Sequence, residues 1–339
     1  MTDIGVIEMQ ERPMPVCGDT DVIVEITDVG VCGSDIHYFE EGKIGEFVVE
    51  DDIVLGHESA GIVREVGDSV DGLTTNTKVA IEPGYPCRRC DYCKQGDYHL
   101  CTEITFMATP PDDGAFAQYV AWPADFVYPL PEGMSLQEGA LCEPLSVGIH
   151  ACQVGDISVG DRVLITGAGP IGLMGMETAF AYGASEVYVS DVVQSKLDIA
   201  DARGATGTID GRTKALGDAV DRLTDSEGVD VVIEASGAPD VYTSVLEGIR
   251  PGGTIVAVGL PSAAEIPFDF TGLTTREINV QGSFRYNNTY GEAIDLISSG
   301  TVDVAGIIDR EYDFDEITEA MIRAQDHEIV KTMISMDAT

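Results

Sequence analysis

Four cysteines, Cys87, Cys90, Cys93 and Cys101, stand in PCRRCDYCKQGDYHLC with the spacing C-x2-C-x2-C-x7-C. Thiolates this close in the chain can close a tetrahedral zinc site on one loop, and an iron–sulfur cluster would use similar ligands. A site closed by four thiolates is the ordinary form of structural zinc and leaves no position for substrate, so the loop reads as structural. A second set of ligand types is dispersed: Cys32 in DVGVCGSDIHYF, His57 and Glu58 in VLGHESAGIVREVG, and Glu143 in GALCEPLSVGIHAC. Taken singly, a lone cysteine is usually a small buried hydrophobe and a lone histidine a satisfied polar group. Their sequence surroundings change that weighting.

A third feature is GAGPIG, with Gly167, Gly169 and Gly172 in the pattern G-x-G-x-x-G around Pro170 and Ile171. It follows a predicted buried strand, DRVLIT, and opens a helical run, LMGMETAFAYGA; a second strand, EVYVSD, ends at Asp191. In that context the first two glycines let the backbone approach a pyrophosphate, the third lets the helix pack on the strand, and the helix N-terminus faces the phosphates. Asp191, 19 residues after Gly172, is placed to accept hydrogen bonds from the adenosine ribose. Its carboxylate repels a 2′-phosphate, so NAD is expected rather than NADP, with Lys196 near enough to lean on the ribose or adenine.

These residues need elements to hold them. Further strands are expected at TGTID, VDVVIEAS, GTIVAVG and INVQGSF, with helical segments between them, giving an α/β unit with six parallel strands. Before it, short strand-like runs (VIVEI, GIVREVG, KVAIEP, AQYVAW) broken by Gly, Pro and Asp describe a small irregular β domain. A chain of 339 residues is long enough to bury two cores. No signal peptide or apolar span is evident, so a cytoplasmic protein is expected. The formal net charge of −40, from 59 acidic and 19 basic residues, disfavours nucleic acid and anionic membranes as partners. The acids are spread along a chain that is 44% hydrophobic, which argues against disorder and resembles proteins of salt-accumulating halophiles.

On CGSDIHY, GHE followed by SAG, the four-cysteine loop, TPPDDG, EPLSVGIHA, GAGPIG, EASGAP and TTREINVQGSFRYNNTY, the chain resembles the zinc-containing medium-chain dehydrogenases, most closely their sorbitol and xylitol dehydrogenase branch. The resemblance spans nearly the whole length. It implies a discontinuous GroES-like catalytic domain, residues 1–146 and 283–339, and a doubly wound Rossmann NAD-binding domain, 147–282, with the active site in the cleft between them. It implies Cys32, His57 and Glu58 as ligands of a catalytic zinc, and Glu143 as an acid that binds the metal or holds its water. Three protein ligands and one open position are what such a site requires. Ser34 and His37 match a relay that carries the released proton outward, a task suited to imidazole. Tyr38, Phe106, Arg285 and Tyr286 match positions lining a polyol pocket. The implied reaction is hydride transfer from C2 of a small polyol to NAD, in a homo-oligomer, dimer or tetramer. Threonine, butanediol or aldose dehydrogenases of the same fold, and a non-catalytic NAD-binding scaffold, are the alternatives.

Overall fold

In the computed structural model, which describes residues 1–261, 263 and 265–336, the chain forms two compact units: Met1–Glu143 with Tyr290–Thr339, and Pro144–Thr289. The division falls inside the helix Cys142–Val154, just after Glu143, and again just before the helix Tyr290–Ser298.

The first unit is built on a seven-stranded sheet. Its long strand Asp21–Val31 alternates few polar residues with many apolar ones, because it is buried on both faces and flanked on both edges. On one side it pairs antiparallel with Glu58–Val66, which continues to Lys78–Ile81 and Val127–Pro129. On the other it pairs antiparallel with Lys331–Ser335, and Ile308–Asp313 lies beyond, parallel to that strand. The strand Tyr119–Pro123 pairs with its first half. Val22, Val24, Ile26, Val63, Val79, Ile81 and Ile334 from these strands form the core with Phe116, Trp122 and Met321. The C-terminal segment is therefore part of the first sheet. Its register, Gly30 opposite Met333 and Val31 opposite Thr332, sets one end of the site described below.

The second unit is a six-stranded parallel sheet in the order Gly207–Asp210, Glu186–Asp191, Arg162–Thr166, Val229–Glu234, Ile249–Ala257, Asn279–Gly282. Sequence order reverses between the first strand and the fourth, which is the crossover point of a doubly wound sheet. The central strands are nearly continuous apolar runs because helices cover both faces. All six strands expected from the sequence are present, and the α/β class with a small β domain holds. Among the described residues no helix is long and apolar enough to cross a membrane.

Candidate metal centres and dinucleotide site

The strand Asp21–Val31 ends where the helix Gly33–Glu41 begins, and Cys32 is the residue between them, at the helix N-cap. Glu58 opens the neighbouring strand, in register with Gly30, and His57 immediately precedes it. Cys32, His57 and Glu58 thus converge from separate segments, with one ligand atom of each within 4.8 Å of the others. His57 and Glu58 are buried. Glu143, 5% exposed, is not in that tight group, but its charge reaches both His57 and Lys331. Phe106 packs a tilted ring against His57, with centroids 6.0 Å apart.

Two buried groups behind this cluster were not anticipated. Asp35, fully buried, accepts the Cys32 N–H at 3.0 Å and the Gly56 N–H at 2.8 Å, and its Oδ1 lies 3.8 Å from His57 Nδ1. That last distance is an ion-pair separation, too long for a hydrogen bond. Burial pushes the Asp35 carboxyl above its ordinary range, while His57 and the two backbone donors pull the other way. Burial alone would lower the His57 pKa, but Asp35, Cys32 and Glu143 outweigh it and raise it to about 10. The field that holds a proton on His57 equally favours a metal cation in its place.

The second group is Lys331, 2% exposed, whose Nζ forms an ion pair with Glu58 Oε2 and donates to Val31 O at 3.0 Å. The contact is a direct charge-assisted one, ammonium against carboxylate oxygen. Burial would lower the Lys331 pKa, yet Glu58 and Cys32 raise it, so the ammonium stays charged. The two side chains meet across Gly30. A Cβ there would overlap Glu58 Oε2 and lie 3.0 Å from Lys331 Cε, so the pair exists because this strand position has no side chain. Sequence offered a weak signal: Lys331 is one of only six lysines and sits in an apolar run, IVKTMISM.

A metal fits this donor set. One thiol, one imidazole and one carboxylate, with a ligand atom of each within 4.8 Å of the others, are donor types that zinc accepts. The four loop cysteines fit as well. Cys87, Cys90, Cys93 and Cys101 bring their Sγ atoms within 4.8 Å of one another, and none is in a disulfide. The Cys87 N–H points at Cys101 Sγ, 3.3 Å away, and the backbone N–H groups of Arg89 and Cys90 help lower the Cys87 thiol to about 6. Thiolates stabilised by backbone donors are the ligand form zinc binds.

The remaining expected residues fall as follows. Ser34 is half-buried and His37 exposed, three residues apart on the helix Gly33–Glu41; Tyr38 and Phe106 are buried in the first unit. Arg285 and Tyr286 lie in the second unit. Arg285 has a left-handed backbone (φ 54°) and sets its guanidinium 4.8 Å over the Phe284 ring, and Tyr286 is buried.

In the second unit, Gly167 ends the strand Arg162–Thr166 in a left-handed turn (φ 94°), Gly169 caps the helix Pro170–Ala181, and Pro170 and Ile171 are its first residues. A Cβ at Gly172 would overlap the carbonyl of Gly167, so this helix can start close to the turn only without one. Asp191 Oδ2 accepts the Ala168 N–H at 2.6 Å and Oδ1 the Val193 N–H at 2.8 Å, which fixes the acid beside the glycine turn. Lys196 lies in the first turn of the helix Gln194–Ala202.

Comparison with known proteins agrees with this geometry. Residues 18–132 match the alcohol dehydrogenase GroES-like domain and residues 170–299 the zinc-binding dehydrogenase family. The chain is 41% identical over 330 residues to sorbitol dehydrogenase of Bacillus subtilis, covering 97% of this chain and 94% of that protein. It is 43% identical over 336 residues to D-xylulose reductase A of Aspergillus niger, covering 97% and 93%. An Escherichia coli oxidoreductase of unknown specificity superposes with a TM-score of 0.95 at 34% identity, covering 99% of this chain and 98% of that one. With both domains matched in order and relatives of this identity along nearly its whole length, the chain belongs to the zinc-dependent medium-chain alcohol dehydrogenase family.

Proposed function

We propose that this enzyme oxidises a secondary alcohol, C2 of a polyol such as xylitol or sorbitol, to a ketose with NAD as acceptor. One observation carries the reading: Cys32, His57 and Glu58 converge within 4.8 Å in a chain 41% identical to a sorbitol dehydrogenase. Cys32, His57 and Glu58 would hold zinc, which would supply Lewis acidity, and a dinucleotide bound at the glycine turn would supply the hydride acceptor. The chain's residues do the rest. Asp35, 3.8 Å behind His57, contributes a buried acid whose field favours a cation at the site. Lys331 limits the negative charge that Glu58 brings to the site, and Glu143 serves as an additional acid there. Ser34 and His37, one helical turn apart with His37 exposed, serve the hydroxyl-to-ribose-to-imidazole relay that carries the released proton toward solvent. Tyr38, Phe106, Arg285 and Tyr286 bind the substrate chain.

Gly167, Gly169, Pro170, Ile171 and Gly172 receive the pyrophosphate, and Asp191 the ribose hydroxyls. Each Asp191 oxygen accepts one backbone N–H and keeps a lone pair for ribose. Lys196 lies near the adenosine end. Cys87, Cys90, Cys93 and Cys101 hold structural zinc. In this reading Met1–Glu143 with Tyr290–Thr339 is the catalytic part and Pro144–Thr289 the NAD-binding part, close to the expected bounds at 146/147 and 282/283. The enzyme works in the cytoplasm, adapted to high salt, as a homo-oligomer. The sheet edge Asn279–Gly282 supports self-association, since all four of its residues are exposed and its outer backbone groups suit pairing with a second copy.

The test is NADH formation across xylitol, sorbitol, 2,3-butanediol, threonine, an aldose, 2-propanol and ethanol, in molar KCl with zinc. The polyols should exceed the monohydric alcohols by orders of magnitude, because a site built to bond a second hydroxyl rejects analogues lacking it. Arg285→Ala should erode that preference more than it slows a simple alcohol. A threonine, aldose or monohydric preference would refute the polyol assignment.

A further inference from the structure

The strands Glu186–Asp191 and Gly207–Asp210 run parallel with Asp191 opposite Asp210, and the Gly211 N–H donates to Asp191 O at 3.0 Å. Two acids therefore end neighbouring strands at the carboxyl edge of the sheet, where doubly wound folds bind their ligands. Their carboxylates are used differently. Asp191 is turned onto the glycine-rich turn through Ala168 N–H and Val193 N–H. Asp210 is turned onto Arg212, accepting its backbone N–H, its Nε–H and its Nη2–H, each at 3.0 Å. The contact is bidentate, local in sequence and reinforced by the backbone, unlike an ordinary surface pair between two mobile side chains. Hydrogen bonding to Arg212 holds the Asp210 carboxyl below its usual range.

Arg212 sits two residues beyond the strand end, next to the acid assigned to the ribose, and its side chain is 55% exposed. A free guanidinium there is the group that recognises a phosphate in bidentate fashion, and an arginine near the ribose is how this fold class accommodates a 2′-phosphate. We propose that Asp210 is a second specificity-determining residue: by chelating Arg212 it withholds that guanidinium from the 2′-phosphate of NADP. Asp191 then disfavours NADP by repulsion and Asp210 by sequestration. To reach a phosphate, Arg212 must break two charge-assisted bonds and leave Asp210 unpaired, so the exchange brings no net gain. The inference rests on the reading of this strand edge as the adenosine ribose site.

Asp210→Asn removes the charge but keeps an oxygen to accept the Arg212 backbone N–H. Dissociation constants for NAD and NADP are measured by calorimetry at one fixed KCl concentration for the unmodified protein, Asp210→Asn, Arg212→Leu and the double variant. Asp210→Asn should bind NADP about tenfold tighter, the equivalent of one charge-assisted contact, with NAD within about twofold of its original value. Arg212→Leu alone should leave NADP affinity unchanged, and in the double variant the gain should vanish. Unchanged NADP affinity in Asp210→Asn with NAD binding intact overturns the inference and leaves the NAD reading standing. A gain that survives in the double variant overturns it too, because loss of a negative charge would then be the whole cause. Failure of the unmodified protein to bind either dinucleotide overturns the ribose-site reading and the inference with it.

Discussion

Replacing Lys331 by Met tests the buried Glu58–Lys331 pair directly. Met keeps most of the apolar stem, so little packing is lost and the change is chiefly the loss of a charge. The two side chains are 2% and 1% exposed, a depth at which removing one partner of an ion pair costs about 3–5 kcal/mol. The carbonyl of Val31 also loses its Nζ donor, worth roughly 1 kcal/mol. The metal-free variant should therefore lose about 4 kcal/mol or more. When a metal cation takes the carboxylate of Glu58, the lost ammonium matters less and the cost should fall to about 1 kcal/mol. For a unit of this size each kcal/mol moves Tm by roughly 2–4 °C, so the drop should be about 8–16 °C without zinc and about 2–4 °C with it. Differential scanning calorimetry of chelator-treated and zinc-loaded protein gives both values. A drop that is the same in the two forms, or below about 2 °C without zinc, would refute the reasoning.

Further outcomes are expected. If, as proposed, Cys32, His57 and Glu58 hold an open zinc site and the four loop cysteines a closed one, mild chelation should abolish activity before it unfolds the protein; one zinc or fewer per fully active chain would remove one site. Asp191→Ser should lower NAD turnover and raise NADP turnover, and equal use of both cofactors by the unmodified enzyme would contradict its role. With 59 acids against 19 bases, Tm should rise as KCl increases from about 0.1 M to 1 M and the Debye length shrinks from about 10 Å to 3 Å; a Tm indifferent to KCl would sink the halophilic reading. Glu82 accepts Tyr98 and Tyr128 hydroxyls at 2.6 and 2.9 Å, and burial raises its pKa from the ordinary 4.5 to about 7. The folded state then binds the extra proton, so this group's stabilisation is present below about pH 4.5 and lost as pH rises through 7; Glu82→Gln should remove roughly 3 kcal/mol of that slope, read from the difference in denaturation midpoints across pH.

What sequence disclosed follows from how far apart the partners lie. The dinucleotide turn is legible because its strand, turn, helix and acid occupy one short stretch, Arg162–Asp191, and each glycine answers a local steric demand. The cysteine loop is legible for the same reason: its four donors lie within one loop and meet without help from the rest of the fold. The scattered candidate ligands Cys32, His57 and Glu58 are readable only through family resemblance, since spacing gives no hint that a strand end and its neighbour bring them together. Asp35 was hidden because an acid three residues after Cys32 reads as an ordinary helix-start residue. Lys331 was hidden more deeply. Its contact depends on strand Lys331–Ser335 returning to Asp21–Val31 in one particular register, and on Gly30 leaving room.

The scarcity of cations makes their placement informative. Most of the basic side chains that pair in this fold do so at the surface, as Arg64 does with Glu25 and Arg88 with Asp125. At high salt such pairs contribute little, because screening acts on solvated charges. A pair at the depth of Glu58 and Lys331 is largely exempt, since no mobile ion reaches it. Salt can therefore relieve repulsion among the surface acids without loosening the electrostatics at the metal centre. The lysine that sets the charge on Glu58 belongs to the last strand of the chain, and the carboxylate to the end of its second long strand. The discontinuous sheet is thus what supplies a second buried cation, beside His57, to a site that holds three buried acids, Asp35, Glu58 and Glu143. Without it, those acids would have only His57 and an incoming metal to balance them, and the metal-free chain would bear the full cost of burying them.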